Sequence, residues 1–184
     1  MSKRIAYLAA AAFSALTIAA TVVAPVRAEE KTVMVGGAAM FPSKNIVQNA
    51  VNSKDHTTLV AAVKAAGLVP TLEGKGPFTV FAPTNAAFGK LPAGTVDTLV
   101  KPENKATLTK ILTYHVVPGK LEASDLTDGK KLKTVEGEEL TVKKSGSSVM
   151  IVDAKGGSST VTIPNVNQSN GVIHVVDTVL MPAS

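Results

Sequence analysis

The sequence contains no cysteine and no tryptophan, and only 4% of its residues are aromatic. Without cysteine the chain has no disulfide framework, no thiol nucleophile and no thiolate ligand for zinc. Because aromatic side chains are few, valine, leucine, isoleucine and alanine have to fill the interior. The fold therefore depends on its hydrophobic core alone, without covalent cross-links.

Histidine and the common catalytic motifs are also scarce. The three histidines, His56, His115 and His174, are each 59 residues from the next, which no local metal-binding spacing matches. The sequence has no glycine-rich phosphate or dinucleotide loop and no G-x-S-x-G turn. It therefore predicts no metal site, no cofactor and no catalytic residues, and the protein is expected not to be an enzyme.

Residues 1–28 have the pattern of a secretory signal peptide. Lys3 and Arg4 precede an apolar run that ends before a cleavage site at Val26-Arg27-Ala28. A membrane anchor is the alternative, since about 19 apolar residues can span a bilayer. The many alanines and the cleavage site favour the signal peptide. This predicts a secreted chain, periplasmic or extracellular, with no integral membrane segment after cleavage.

Removal of the predicted signal peptide changes the net charge and the length of the chain. Removing Lys3, Arg4 and Arg27 with the signal peptide lowers the formal net charge from +5 to about +2. The remaining lysines are scattered along the chain, which argues against a nucleic-acid partner. The remaining 156 residues suit one domain, and the sequence leaves the number of subunits open.

The first half of the mature chain is expected to be mainly helical. Residues 29–42 form an apolar arm interrupted by Gly36-Gly37. A short helix is expected over 43–50 with Ser43 as its N-cap, and a second over 57–66 with Asp55 or Thr57 as its cap. His56 is expected to be solvated or to take part in this cap.

The rest of the chain turns from helix to strand. "FTVFAP" alternates with period two and predicts a strand that ends at Pro83, after which Thr84 begins a short helix. A longer helix is expected from about Pro102, and turn signals divide the second half. The strand segments expected there are 131–135, 139–144, 148–152, 159–163 and 172–180. This order predicts an α+β fold in a single compact domain.

Tyr114 and His115 lie at the end of the predicted central helix, and no carboxylate occurs from Ala106 to Lys120. The absence of a nearby acid favours buried hydrogen bonds over a catalytic pair. His174 and Asp177 are three residues apart on a predicted strand. This odd separation places them on opposite faces, which argues against an acid–base dyad.

Three segments resemble the blocks of the fasciclin (FAS1) domain. "FTVFAPTNAAF" resembles the first block, "TLTKILTYHVVPGKL" the tyrosine–histidine block and "SNGVIHVVDTVLMP" the closing block. Their order and spacing agree, and the resemblance covers residues 43–182. The arm resembles that of secreted single-domain bacterial members.

The resemblance implies a wedge of two β-sheets with helices packed alongside, and a non-catalytic role. In animal relatives the tyrosine–histidine block is linked to partner binding, so Tyr114 and His115 become candidate recognition residues. The other motif residues are expected to maintain the fold. They are Phe81, Pro83, Thr84, Asn85, Phe88, Asn170, Gly171, His174 and Asp177.

Two functions follow as expectations. The first is cell adhesion or recognition of a cell-surface or extracellular-matrix component. The alternative is an extracellular carrier of an apolar small ligand such as a carotenoid or lipid, since some algal fasciclin-domain proteins bind carotenoids. Apolar residues of the arm would then contact the ligand. They are Val33, Met34, Val35, Met40 and Phe41.

Overall fold

A computed structural model describes residues 30–183, and the predicted signal peptide lies outside these described residues. Helices and strands are numbered in chain order within this range. The helices are Ile46–Ala50 (α1), Thr57–Ala66 (α2), Val69–Leu72 (α3), Asn85–Gly89 (α4), Thr95–Leu99 (α5) and Lys105–Tyr114 (α6). The strands are Val33–Val35 (β1), Ala38–Met40 (β2), Phe78–Pro83 (β3), Val116–Pro118 (β4), Lys131–Lys133 (β5), Glu139–Ser145 (β6), Ser148–Val152 (β7), Ser158–Gln168 (β8) and Gly171–Val176 (β9).

Two four-stranded sheets share strand β8 and form the wedge. One has the order β4-β3-β9-β8 and the other β8-β7-β6-β5, with β3 and β9 the one parallel pair among these strands. Strand β8 changes partner near Thr160, which pairs with β7, and Val161, which pairs with β9. Irregular register between Val161 and Val166 bends the strand there. The predicted α+β fold with a wedge of two sheets is confirmed.

Strand β3 separates two hydrophobic cores because its side chains alternate between its faces. Val80 and Ala82 pack with helices α2 and α6, in what is called here the helix core. Phe81 packs with Tyr114 between the two sheets, in what is called here the wedge core. The alternation read from the sequence is therefore confirmed, and both faces of this strand are buried.

The apolar arm forms a hairpin, β1–β2, that packs against the helix core. Gly36 and Gly37 make its turn with φ of 57° and 76°, which is the conformation that two-residue hairpin turns require. Val35 and Met40, on either side of the turn, are buried in the helix core. Part of the arm thus completes the domain interior, and Met34 faces solvent.

The helix expected over 43–50 starts later, at Ile46. Its N-cap is Asn45, not Ser43, and a capping box joins Asn45 and Gln48 in both directions. Helix α2 has the bounds that the sequence predicts. The expectation that Asp55 or Thr57 caps α2 is wrong, because His56 occupies the cap position and no side-chain cap bond is made there.

The strands differ from expectation mainly in length. Strand β8 runs through 11 residues, not the five expected over 159–163, and β9 ends at Val176 rather than at residue 180. The bend in β8 explains its underestimated length, since the bulged stretch with Pro164 reads as a turn in the sequence. Helices α3 and α5 and strand β4 were not predicted, because each is too short to show a periodic pattern.

Candidate functional site

Tyr114 and His115 end helix α6, and both side chains lie inside the protein, exposed by 0% and 2%. The Tyr114 hydroxyl accepts from the Ala154 N–H at 2.9 Å and donates to the Glu139 carbonyl at 3.3 Å. It thereby links the helix to the second sheet. A partner cannot touch either side chain in this conformation, and their role in binding stays a prediction.

The His115 ring joins the last turn of α6 to the closing segment of the chain. Its Nε2 accepts from the Leu180 N–H at 3.0 Å. Nδ1 therefore carries the proton of the neutral ring and donates to the Ile111 carbonyl at 2.8 Å. Burial lowers the pKa of His115 to about 4, although the Ile111 carbonyl and Asp153 oppose this shift. The ring is uncharged at neutral pH.

His174 and Asp177 have separate partners, so the structure does not bring them together as a catalytic pair. His174 donates from Nε2 to the Leu121 carbonyl at 2.8 Å and stacks on Phe81 with ring centroids 5.7 Å apart. Asp177 accepts from the Thr160 N–H at 2.8 Å. Burial lowers the pKa of His174, against the effect of the Leu121 carbonyl.

The Asp177 carboxylate is held at the surface by a small network. Burial tends to raise the pKa of Asp177, but the hydrogen bonds from Thr160 and Thr178 and the charge of Lys90 outweigh it and lower the pKa. Lys90 forms an ion pair with this carboxylate at 3.4 Å, and both side chains are substantially exposed. This pair links helix α4 to the end of β9.

Asn170 and Gly171, where strand β9 begins, contact α1, α3 and β3. The Asn170 amide accepts from the Ile46 N–H at 3.1 Å and donates to the carbonyls of Leu72, at 2.7 Å, and Gly74, at 2.9 Å. It therefore ties the starts of α1 and β9 to the end of α3. Gly171 lies so close to the Phe78 backbone that any Cβ would clash with its carbonyl oxygen.

The block around Asn85 anchors helix α2. Thr84 caps α4 as predicted, since its hydroxyl accepts from the Ala87 N–H at 3.2 Å. Asn85 maintains the fold through backbone partners that lie about 30 residues away in the sequence. Its carbonyl oxygen accepts from the Thr58 N–H at 3.0 Å, and its amide donates to the Lys54 carbonyl at 2.8 Å. Asn85 supplies the N-terminal cap that α2 lacks locally.

Replacing Asn85 by alanine is expected to lower the free energy of unfolding by about 2 kcal/mol, because the first turn of α2 loses its cap and the Lys54 carbonyl loses a donor. Urea unfolding monitored by circular dichroism measures this loss. Asn52→Ala is the matched control, since Asn52 is exposed and makes one local bond, to the Gln48 carbonyl. Equal losses in both variants would contradict the role given to Asn85.

The remaining motif residues lie in the interior near these anchors. Phe81 fills the wedge core and Phe88 the helix core, so the two aromatic rings serve different cores. Pro83 is the last residue of β3 and is also buried. Together with the bonds described above, this places all the motif residues in packing or backbone contacts, and three of them, Thr84, Asn85 and Asp177, are partly exposed.

His56 is buried, exposed by only 3%, so the expectation of a solvated residue is wrong; it occupies the N-cap position of α2 but makes no side-chain cap bond. Its Nδ1 lies 2.8 Å from the Ser53 hydroxyl, whereas Nε2 makes no hydrogen bond of ordinary geometry. Burial lowers the pKa of His56, with the Ala82 carbonyl and Asp55 opposing the shift. Sequence periodicity could have found this position, because His56 precedes Leu59 and Val63 at i, i+3 and i+7.

An exposed apolar surface lies on the hairpin and the end of α1. Met34 is 59% exposed, Val51 49%, and Phe41 is partly exposed beneath Lys44, whose Nζ lies 4.9 Å from the ring centroid. Asn49 of α1 joins the Phe41 backbone through two hydrogen bonds, so hairpin and helix form one unit. This unit is called here the hairpin–helix surface. Sequence alone could not distinguish its exposed members from the buried Val35 and Met40.

Within residues 30–183, no group of three or more histidine, aspartate and glutamate side chains has an arrangement that could hold a metal ion. In the same part of the chain, none of the helices combines the length and apolar character that crossing a bilayer needs.

Comparison with known proteins identifies the family. The fasciclin domain model matches residues 54–182, and the chain belongs to this family. It is 47% identical to protein sll1483 of Synechocystis, over 93% of this chain and 94% of that protein. It is 40% identical to immunogenic protein MPB70 of Mycobacterium bovis, over 72% and 66% of the two chains.

Two further similarities concern proteins whose names state a location or role. The chain is 38% identical to cell surface glycolipoprotein MPB83 of Mycobacterium bovis, over 80% of this chain and 64% of that protein. Its fold matches a FAS1 domain pair from the insect cell adhesion molecule fasciclin I with a TM-score of 0.68. At 19% identity this match shows the fold alone, over 77% of this chain and 52% of the other.

Proposed function

We propose that this protein is a non-catalytic adhesion or recognition protein that acts outside the cytoplasm, on a cell surface or matrix component. The observation that supports the proposal is that most side chains of the fasciclin motifs are buried in the interior, where they stabilise the fold. Tyr114, His115, His174 and Asn170 are all buried and hydrogen-bonded within the fold. A relative with 38% identity is a cell surface protein by name, which supports this location.

We assign the contact to the hairpin–helix surface. Large apolar side chains at the surface cost free energy unless a partner covers them, and clusters of them commonly mark interaction sites. Met34, Phe41 and Val51 are exposed on the hairpin and at the end of α1, which hydrogen bonds join into one unit. Lys44 over the Phe41 ring adds a positive charge to the rim, which suits a partner with an apolar centre and acidic groups around it.

The proposal is tested with labelled protein on intact cells of the source and on their extracellular matrix. Unlabelled protein in excess is the competitor, and saturable, competed binding is expected. The double variant Met34→Ser, Val51→Ser is expected to bind roughly tenfold more weakly, since a few central side chains carry most of an interface's affinity. Its thermal midpoint should change little, because both side chains are exposed.

Val135→Ser provides the matched control. Val135 is 45% exposed but follows strand β5, and its N–H donates to the Val116 carbonyl of the first sheet. Unchanged binding of this variant is expected. Binding that is absent or not competed would argue against adhesion and favour the carrier alternative, which stays a prediction. Equal losses from Val135→Ser and the double variant would show that the hairpin–helix surface is not the contact.

A further inference from the structure

The sheet β8-β7-β6-β5 buries one face in the wedge core and presents the other face to solvent. The buried face carries aliphatic side chains, such as Leu132, Leu140 and Ile151. Because side chains alternate along a strand, the residues between these point away from the core, and they are exposed or partly exposed. They form what is called here the outer face of the second sheet. Among them are Lys131, Lys133, Glu139, Thr141, Lys143 and Thr160.

Three lysines are aligned on this outer face. Lys131 and Lys133 are two residues apart on β5, which separates their Cα atoms by roughly 7 Å. Lys143 lies on the neighbouring strand β6, two residues beyond Thr141, which pairs with Lys131. This diagonal position is about 7–8 Å from Lys131, on the side away from Lys133. The three residues are called here the lysine row, and they extend over roughly 15 Å.

The lysine row keeps most of its positive charge. Among the outer-face residues of strands β5 to β8, Glu139 is the one acid, and it pairs with Lys131 at 3.3 Å. Both side chains of this pair are exposed, so the pair is weak and Lys131 stays available to another anion. Lys133 and Lys143 form no ion pair with any group of residues 30–183. The row therefore offers positive charge to a ligand.

Protection of a sheet edge explains only part of the lysine row. Lysines on an edge strand discourage pairing with another chain, and β5 is the edge strand of this sheet. Lys143, however, lies on β6, which is paired with β5 on one side and with β7 on the other. Edge protection requires no charge on an inner strand. The alignment of Lys143 with the two edge lysines is therefore better explained by a ligand that contacts all three.

The neighbouring side chains restrict the class of ligand. Thr141 lies directly across from Lys131, and Thr160 lies two strands from Lys143 in the same row of paired residues. Their hydroxyl groups can donate and accept hydrogen bonds beside the ammonium groups. Single-stranded nucleic acids are typically bound by aromatic side chains that stack on the bases, and strands β5 to β8 contain no aromatic residue. A chain of sugars with both hydroxyl and carboxylate groups matches this face.

We propose that the outer face of the second sheet binds an acidic polysaccharide, whose carboxylates contact the lysine row. This names a class of matrix component, so it deepens the proposed function and rests on it for the location outside the cytoplasm. The contact differs from the hairpin–helix surface. That surface meets strand β8 at Gln168, through Asn49, whereas Thr160 lies eight residues earlier on the strand. The two contacts can therefore be tested separately.

The test titrates the purified protein with polygalacturonate, dextran and single-stranded oligothymidylate, monitored by calorimetry at low ionic strength. Polygalacturonate is expected to bind, and its affinity to fall as salt is added, because salt screens exposed charges. Dextran, which is uncharged, is expected not to bind. Oligothymidylate is expected to bind at least about tenfold more weakly than polygalacturonate, because the face offers no aromatic side chain to its bases.

Two triple variants separate the lysine row from the net charge of the protein. Replacing Lys131, Lys133 and Lys143 together by glutamine is expected to weaken polygalacturonate binding about tenfold or more, since each exposed contact contributes a modest amount. Replacing Lys64, Lys101 and Lys105 by glutamine is the matched control, because these exposed lysines on the helical side carry the same total charge. This control is expected to bind within about twofold of the wild type.

Glu139→Gln tests the row in the opposite direction. Removing the acid that pairs with Lys131 is expected to tighten polygalacturonate binding about threefold. Glu103→Gln makes the same charge change at an exposed position between α5 and α6 and is expected to leave the affinity unchanged. The thermal midpoints of both variants should stay near that of the wild type, because both side chains are exposed.

Four results would overturn the proposal: no binding of polygalacturonate at low ionic strength, equal losses from the two triple variants, no gain from Glu139→Gln, or oligothymidylate binding as tight as that of polygalacturonate. The double variant Met34→Ser, Val51→Ser is expected to bind polygalacturonate like the wild type. Loss of cell binding in that variant would support the adhesion proposal even where the lysine row fails.

Discussion

Gly171→Ala is expected to lower the free energy of unfolding by at least about 4 kcal/mol, which is a large part of the 5–15 kcal/mol typical of a domain. Gly171 pairs with Phe78 where the parallel strands β3 and β9 begin. A Cβ here would clash with the Phe78 carbonyl oxygen and lie 2.9 Å from its nitrogen. These are backbone atoms of a central strand, so no side-chain rotation relieves the overlap.

Gly89→Ala provides the matched control for this substitution. Gly89 ends helix α4, has no positive φ, and has open space where a Cβ would stand. Alanine is the better helix former, so the free energy of unfolding is expected to stay equal or rise by up to about 1 kcal/mol. Urea unfolding of the three proteins measures both effects. A folded Gly171→Ala variant with a stability near that of Gly89→Ala would refute the close strand contact.

The elements predicted well from sequence are those whose signal is local and periodic. Helix α2 and strand β3 carry complete apolar patterns, and their bounds agree with the structure. The three segments that resemble the fasciclin family led to the wedge of two sheets, which strand patterns alone did not specify. The short helix α3 and strand β4 have three or four residues each, and a periodic signal needs more.

The anchoring contacts were missed because their partners are far apart in the sequence. Asn85 and Lys54 are 31 residues apart, and Asn170 and Ile46 are 124 residues apart. A sequence shows that an asparagine favours turns, but tertiary structure decides whose backbone its amide reaches. The burial of His56 was not predicted for a related reason. Its polar neighbours in the sequence indicate solvent, whereas Gly36 of the hairpin closes over Ser53 beside it.

Acidification is expected to destabilise the protein between pH 6.5 and pH 4. All three histidines of the sequence are buried and have lowered pKa values, that of His115 at about 4. In the unfolded chain each histidine titrates near 6.5. Below that pH the histidines of the unfolded chain become protonated, whereas the buried histidines of the native state stay neutral. The contribution of the neutral histidines to stability is therefore complete above pH 6.5 and is lost as the pH falls towards 4.

The size of this loss follows from the shift of His115. Each pKa unit corresponds to 1.36 kcal/mol, so His115 alone accounts for about 3 kcal/mol between pH 6.5 and pH 4. His56 and His174 act in the same direction. Free energies of unfolding from urea titrations at several pH values, from about 7.5 to 4.5, measure the slope. A flat profile over this range would contradict the buried, neutral histidines.

The variant His115→Gln tests whether His115 causes the largest part of the dependence of the unfolding free energy on pH. The variant is expected to be less stable at pH 7.5 by about 1–3 kcal/mol, because the Leu180 N–H and the Ile111 carbonyl lose a well-placed partner. It should also lose clearly less stability on acidification, because position 115 no longer titrates.

Asp177→Asn is the control. Because the pKa of the Asp177 carboxyl is lowered, this group contributes to the pH dependence of stability only below about pH 4. A variant that is destabilised but keeps the wild-type slope would mean that His115 serves as a packing residue only. The acid sensitivity would then belong to His56 and His174.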